Sequence, residues 1–470
     1  MSEFVRIIDP AGRTIRNDLY NSPPDTASYI IFKDGGLVKA KNGRTGQIEF
    51  SGDNAATVMQ NALDVLTSGG KILIKNGIYT ISSPIIIKYD NIIIQGESHN
   101  AILKATSDLA QGNGIIHDYG VIDENWRISN VIIRDLTIDG NNNTVPMAHG
   151  IWFRKADRCV FTNIFVKDVN TADRIDYPKG GALDMGADTY QCAIVNCIGT
   201  NCKAREGELH ICGHGGILAD NIVWNSQATE AALKGPRYTG TIVNNVVYNA
   251  ANDGIRIEGP NTVVGNYIYF ATDYGIHVMP YPEVKGAAIV GNCVEYSGKD
   301  GIRIENDYIT VSSNWVRANG KQSTTSGGII LVDASYCVLT DNLCFDDQTT
   351  KTQVFGISET GTSDYNLIAN NLVTPNKTYT IQQIVGANTK VHGNLGYRTE
   401  NSGTATIPSG QTSVTFAHGL AGTPTSVVLG PTHTEVADAV WSADDTNITI
   451  TVPSAVTADR QISWYAKYKP

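Results

Sequence analysis

The hexapeptide DGIRIE stands at residues 253–258 and again at 300–305, and YGIHVM at 274–279 lies between the two copies. Apolar and polar residues alternate in each, as in a strand with one buried face. Ile255 and Ile257 are expected to point inward, with Arg256 and Glu258 outward. A second signal runs through the same region. An Asn followed by alternating apolar residues begins at Asn163, Asn196, Asn221, Asn245, Asn266, Asn292, Asn314, Asn342, Asn371 and Asn394, at intervals of 21–33 residues. Asp135 takes the same place one turn earlier. Units of this length with short strands and no helical period predict coils that stack on their neighbours. An Asn at the same bend of every coil then forms a ladder of side-chain hydrogen bonds.

Stacking sets like on like. Arg256, His277 and Arg303 form one outward column, and Glu258, Met279 and Glu305 form the next. Asp253, Tyr274 and Asp300 sit at the strand mouth. Coils ~4.8 Å apart place the two DGIRIE copies ~9.6 Å apart. GALDMG adds Asp184 to this face, GELHICG adds Glu208, His210 and Cys212, and AALKGPR adds Lys234 with Arg237 just beyond. GIILVD, later in the chain, offers only Ile330 and Val332. The polar face therefore spans residues 184–305 and fades after them.

At 470 residues the chain is too long for one ordinary compact core, but not for a solenoid. The expected fold is all-β: a parallel β-helix over residues 51–397, with a capping helix at 55–66 and a small β-sandwich at 398–470. AATVMQNALDVL repeats its apolar residues at helical spacing after the capping run SGDN, and is expected to plug the open end of the coils. Residues 1–50 hold short strands and turns and are read as an arm, a docking segment or an oligomer contact. From residue 398 on, alternating strands recur every ~10–15 residues between Gly, Pro and Asp turns. This sandwich is expected to cover the far end, to join three chains or to bind sugar. Trp441, Trp464 and Tyr465 are assigned to its core rather than to a sugar platform.

A net charge of −10 with no basic run argues against a nucleic-acid partner. No apolar stretch approaches the ~20 residues of a membrane span. The start, MSEFVRIIDPAGR, has no apolar signal core, so ordinary secretion is not expected; a virion-borne protein shares that property. Five of the eight cysteines fall between Cys159 and Cys212. Their spacing matches neither a disulfide scaffold nor close zinc pairs, and they read as small buried residues.

The run GDNAATVMQNALDVLTSGGKILIKNGIYTISSPIIIKYDNIIIQGE resembles the opening of pectate-lyase-like right-handed parallel β-helix proteins, and the later coils resemble their repeats. The resemblance covers residues 50–397 and extends to virus tailspikes and polysaccharide depolymerases, where end domains flank a β-helix. It implies the fold and a carbohydrate partner. That superfamily holds lyases, hydrolases, epimerases and non-catalytic adhesins, and no catalytic motif carries over. The DPH-type motif of its alginate epimerases is absent, and FDDQ at 345–348 and ADDT at 443–446 lack the surroundings of a polygalacturonase pair.

From the residues alone, the favoured chemistry is glycosidic hydrolysis, which needs an acid and a second carboxylate. Glu258 and Glu305 are the preferred pair, Asp253 and Asp300 share their spacing, and Asp184 with Glu208 is a closer one. A lyase acting on uronates is the alternative. Its base would be His210 or Lys234, and Lys234, Arg237, Arg256, His277 and Arg303 would bind the anionic polymer. The third possibility is a glycan-binding or structural spike, with the charges paired as ladder salt bridges. Tyr274, Tyr281 and Trp152 are candidates to stack on sugar rings. No cofactor is firmly implied. Calcium suits clustered carboxylates, and HICGH would gather His210, Cys212 and His214 if the strand continued through its glycine, but no metal ligand set is assigned.

Overall fold

The computed structural model describes residues 27–106, 109, 114–142, 147–172, 180–281 and 285–470. Within them the chain winds into a parallel β-helix, and the register of the expected columns holds. One sheet of 13 strands, the front sheet, takes one strand from each coil, with the two-residue strand Ile128–Ser129 as an extra beside Ile151–Asp157. Its middle strands are Leu183–Tyr190, Gly207–Ile211, Ala231–Lys234, Asp253–Ile257, Ile276–Val278, Ile302–Ile304 and Ile329–Val332. Each pairs parallel with the next, so Leu209, Leu233, Ile255, Ile276, Ile302 and Ile329 share one inward column. All six are fully buried. A second sheet of 25 strands takes the remaining strands of the coils.

A one-residue left-handed bend separates the two back strands of a coil. Asp135, Asn163, Asn196, Asp220, Asn244, Ser313, Asp341 and Asn370 all hold φ between 51° and 59° there. Short polar side chains tolerate that region by bonding locally, and Gly265 and Gly291 fill it in the coils between. The asparagine ladder occupies the next position. Each of Asn221, Asn245, Asn266, Asn292, Asn314, Asn342 and Asn371 donates from Nδ2 to Oδ1 of the following asparagine, at 2.9–3.0 Å, ending on Asn394. That Oδ1 also accepts the backbone N–H of the preceding rung, at 2.9–3.0 Å.

The ladder is therefore shorter than the sequence suggested. Asn163, Asn196 and Asp135 are bend residues, one position early. Leu136, Ile164 and Cys197 stand where the rungs would be, and Cys197 N–H donates to Asn221 Oδ1 at 2.9 Å. The early coils pack this corner with apolar atoms, while the later ones hydrogen-bond it.

Glu208 is a further departure. Alternation from His210 places it outside, yet it is fully buried. The strand bends inward where it begins, and the equivalent residues are Ala182, Ala232, Gly254, Gly275, Gly301 and Gly328. Room for the larger side chain comes from Gly199, which sits in an inward column otherwise held by Val166, Val223, Val247 and Ile268. A Cβ on Gly199 would lie 2.6 Å from Glu208 Oε1. The carboxyl thus fills the space that valine fills in neighbouring coils.

The helix Ala55–Asp64 begins at Asn54, whose side chain accepts the N–H of Thr57 at 3.1 Å. Met59 and Leu63 close over Ile72, Ile74, Ile85 and Ile94, so the helix covers the apolar end of the first coil. Tyr29–Asp34, Leu37–Asn42 and Ile48–Gly52 pair antiparallel, and the first of them also joins Gly70–Ile74 in parallel. Residues 29–52 are thus strands added to the coils, while residues 1–26 lie outside the described residues. At the other end, two three-stranded antiparallel sheets between Glu400 and Lys467 enclose Ile407, Ile448, Ile450, Ile462 and Trp464. Trp464 is core as expected, but Trp441 and Tyr465 are 39% and 40% exposed. Six cysteines are buried, and none of the eight forms a disulfide. No described helix is long and apolar enough to cross a membrane.

Asn292→Ala is expected to lower unfolding free energy by about 2–4 kcal/mol, because it leaves the N–H and amide of Asn266 without their buried acceptor. Thr262→Ala, on an exposed position of the adjacent strand, should cost less than about 0.5 kcal/mol. Denaturant titration of both variants checks this. Glu208→Gln gives a pH-dependent result. Burial pushes the Glu208 carboxyl up to about 8. Its contribution to stability is fully present below the unfolded value of about 4.3, and is lost as pH rises to the folded value. The glutamine variant should therefore gain in Tm relative to the parent between about pH 5 and about pH 8.

Candidate functional site

The outward column of the front sheet runs Trp152, Asp184, His210, Lys234, Arg256, His277, Arg303, Ile330, each paired in register with the next. The expected column is present, but most of it is not solvated. Asp184, His210 and Lys234 are 3–4% exposed and His277 is 7% exposed. Carboxylates from flanking positions pair with its basic members. Asp184 lies 3.1 Å from His149 Nδ1 and 3.1 Å from His210 Nδ1, and His210 also meets Glu206 at 3.2 Å. Lys234 Nζ lies 2.8 Å from Glu230, 3.0 Å from Glu258 and 3.5 Å from Glu206. Arg256 holds Asp253 at 2.8 Å and Glu230 at 3.5 Å. His277 bridges Asp253 (Nδ1, 3.0 Å) and Glu305 (Nε2, 3.3 Å). Arg303 reaches Glu305 at 2.6 Å and Asp300 at 3.7 Å.

These contacts fix the charge states. Burial opposes the charge on His210, but Asp184 and Glu206 outweigh it and hold the imidazole well above its usual range. Burial likewise opposes charge on Lys234, and Glu206, Glu258 and Glu230 hold it protonated. Asp184 is held ionised by the two imidazoles despite its burial. The preferred pair separates as well. Glu258 is tied to Lys234 and accepts the Tyr281 hydroxyl at 3.4 Å. Glu305 is pulled down to about 2, chiefly by the hydrogen bond from His277, with Arg303 adding to it against burial.

Asp300 behaves oppositely. It is 3% exposed, and burial raises it to about 6 in spite of the Gly327 N–H at 2.8 Å and the nearby Arg303. It borders a cavity of about 430 Å³ lined also by Asp273, Tyr274, Lys299, Arg303 and the loop residues Gln322, Ser323, Thr325 and Ser326. Here the face is open: Arg303 and Glu305 keep about a fifth of their side chains exposed. The strand-mouth position of Asp300 was legible in the hexapeptide repeat. Its environment was not, because the loop at 320–328 comes from the following coil. Glu206 and Glu230 were also missed, although each stands four residues before a basic member of the column.

The expected sugar platforms already have contacts on their rings. Arg303 and Lys299 both lie over the Tyr274 ring at 5.1 Å, and Arg237 lies over Tyr281 at 5.5 Å. Trp152 is 7% exposed and stacked on His149 at 4.3 Å. Glu208 leaves the site altogether for the core. HICGH does not gather its side chains: the strand ends at Ile211, and His214 stacks between Tyr190 and Tyr238, at 5.0 and 3.8 Å. Among the described residues, Asp184, Glu206 and His210 bring three possible metal ligands within 4.8 Å of one another. His210 and Lys234 already meet the charge of those carboxylates, and an imidazole in the set does not suit calcium.

Residues 119–281 match the family model described as right handed beta helix region. No curated protein matches the chain in sequence. Among solved structures, the A-module of mannuronan C-5 epimerase AlgE6 from Azotobacter vinelandii superimposes with a TM-score of 0.52 at 15% identity, over 72% of this chain and 94% of that one. A mutant of DFA-IIIase from Arthrobacter chlorophenolicus A6 gives 0.54 at 12%, over 67% and 91%. The tailspike protein of E. coli bacteriophage HK620, solved with a pentasaccharide, gives 0.52 at 11%, over 96% and 99%. At such identities the likeness speaks for the fold. The chain is a right-handed parallel β-helix protein.

Proposed function

We propose that the protein cleaves a polysaccharide lying along the outward column of the front sheet, as a glycoside hydrolase with Asp300 as general acid and Glu305 as the ionised carboxylate. The observation that carries this is the opposite displacement of two carboxyls that share one arginine. Asp300 is raised to about 6 and Glu305 lowered to about 2, while Arg303 contacts both. Carboxyls driven apart in this way can divide the acid and anion roles of glycosidic cleavage. Asp300 donates its proton to the leaving oxygen. Glu305 stabilises the positive charge that grows at the anomeric carbon, water adds to that carbon, and the proton that water loses returns to Asp300. The cavity with its Ser, Thr and Gln side chains supplies hydroxyl-matching groups for a sugar. Structures of the same fold that bear carbohydrate-related names, one of them solved with a pentasaccharide, support a carbohydrate partner.

Elimination fits less well. The bases it would use, His210 and Lys234, are both held protonated and almost wholly buried. Binding without cleavage is the competing account, since ion pairs hold most of the column.

Reducing-end release from alginate, polygalacturonate, xylan and a lipopolysaccharide O-chain tests the proposal, with absorbance of unsaturated uronate as the lyase control. Hydrolysis without that absorbance is expected. Asp300→Asn should lower kcat by about 10²–10⁴-fold while binding persists. The rate should fall as pH rises above about 6, where Asp300 gives up the proton it must donate. Equal activity of the Asn variant would refute the assignment, and binding without any cleavage would favour a glycan-binding spike.

A further inference from the structure

His277 faces a carboxylate with each ring nitrogen. Nδ1 lies 3.0 Å from Oδ2 of Asp253, which is fully buried, and Nε2 lies 3.3 Å from Oε2 of Glu305. A neutral imidazole has one N–H and one lone pair, so it satisfies only one of these contacts and points a lone pair at the other anion. Both contacts are attractive only for the imidazolium. The other charged groups around the ring are Arg256 on the preceding coil, Arg303 and Asp300 on the following one, and Tyr274, edge-on at 4.6 Å. The two arginines oppose a third positive charge and share its carboxylates, with Glu230 and Asp300 as their further partners at 3.5 and 3.7 Å. Arg256 holds Asp253 at 2.8 Å, and Arg303 holds Glu305 at 2.6 Å.

We propose that His277 is the positioning residue of this site, an imidazolium cross-link that anchors Glu305 to the buried Asp253 and sets the pH range of the Asp300–Glu305 pair. The catalytic half of this rests on the hydrolase proposed above; the charge state of His277 does not. Burial works against the imidazolium, and the hydrogen bonds to Asp253 and Glu305 outweigh it. Its charge holds Glu305 ionised through the hydrogen bond and, with Arg303, restrains the rise of Asp300. Removing it therefore raises the proton affinity of both carboxyls together. A residue that only packed would lower the rate without moving either.

Two measurements test this. In the unaltered protein, nitrogen-15 NMR of the imidazoles across a pH series should show one histidine, assigned by its loss in His277→Gln, that binds its proton more tightly than the ordinary value of about 6.5. Glu305→Gln should move that titration downward. On whichever of the four polysaccharides the parent hydrolyses, His277→Gln should shift both limbs of the kcat–pH profile upward by about one unit. Limbs that stay in place while kcat falls, or a His277 that titrates at or below the ordinary value, would overturn the proposal. If the parent cleaves none of the four, the hydrolase fails, and the NMR titration alone then decides the charge of His277.

Discussion

From Asn221 to Asn394, the hydrogen bond from each asparagine to its equivalent one coil on is the constraint on which the stacked coils of the site depend. It occurs at a corner where the chain has just passed through a left-handed residue, so the amide both closes the bend and sets the register. With the register fixed at one corner, the inward isoleucines of the front sheet fall in line, and so do the outward charges. A slip of one residue would exchange the two faces. The ladder is buried throughout, where an unpaired amide is costly, and slippage is correspondingly unfavourable.

In-register stacking also creates the electrostatic problem that the front face solves. Side chains in one column lie ~4.8 Å apart, close enough for like charges to repel strongly. Carboxylates from the flanking positions are threaded between the basic members of the column, and nearly all groups from Asp184 to Glu305 have a partner of opposite sign. Charges are only 17% of the chain, yet this strip concentrates them. The network relaxes at its far end. After Arg303 the column turns apolar at Ile330, and the cavity around Asp300 opens at that boundary.

Much of this was legible in the repeat. Period-two alternation and the recurrence of DGIRIE placed Arg256, His277 and Arg303 in one column, and the cap and the C-terminal sheets followed from changes in pattern. What the sequence hid has physical causes. Asparagine suits both the rung and the left-handed bend before it, so Asn163 and Asn196 resemble rungs without being so. Alternation fails for Glu208 because the strand turns inward at its start, and the space it enters is made by a glycine in a different strand. HICGH breaks at Gly213, where a Cβ would lie 2.1 Å from the Thr189 carbonyl oxygen. Of the aromatic candidates, Tyr274 and Tyr281 each have a cation from another coil over the ring, and Trp152 stacks on His149, contacts that strand alternation does not show. The proton affinity of Asp300 depends on a loop from the following coil, which spacing alone does not reveal.

The account comes down to whether residues distant in sequence, aligned by stacked coils, act as one carbohydrate site. A crystal structure of the protein with a bound oligosaccharide measures this directly. The sugar is expected over the front sheet, in the cavity bordered by Lys299 and Thr325 with Asp300 and Arg303 in its lining, and reaching Glu305 beside Arg303. A sugar seated on the back sheet, or between the C-terminal sheets, with that cavity empty, would contradict it.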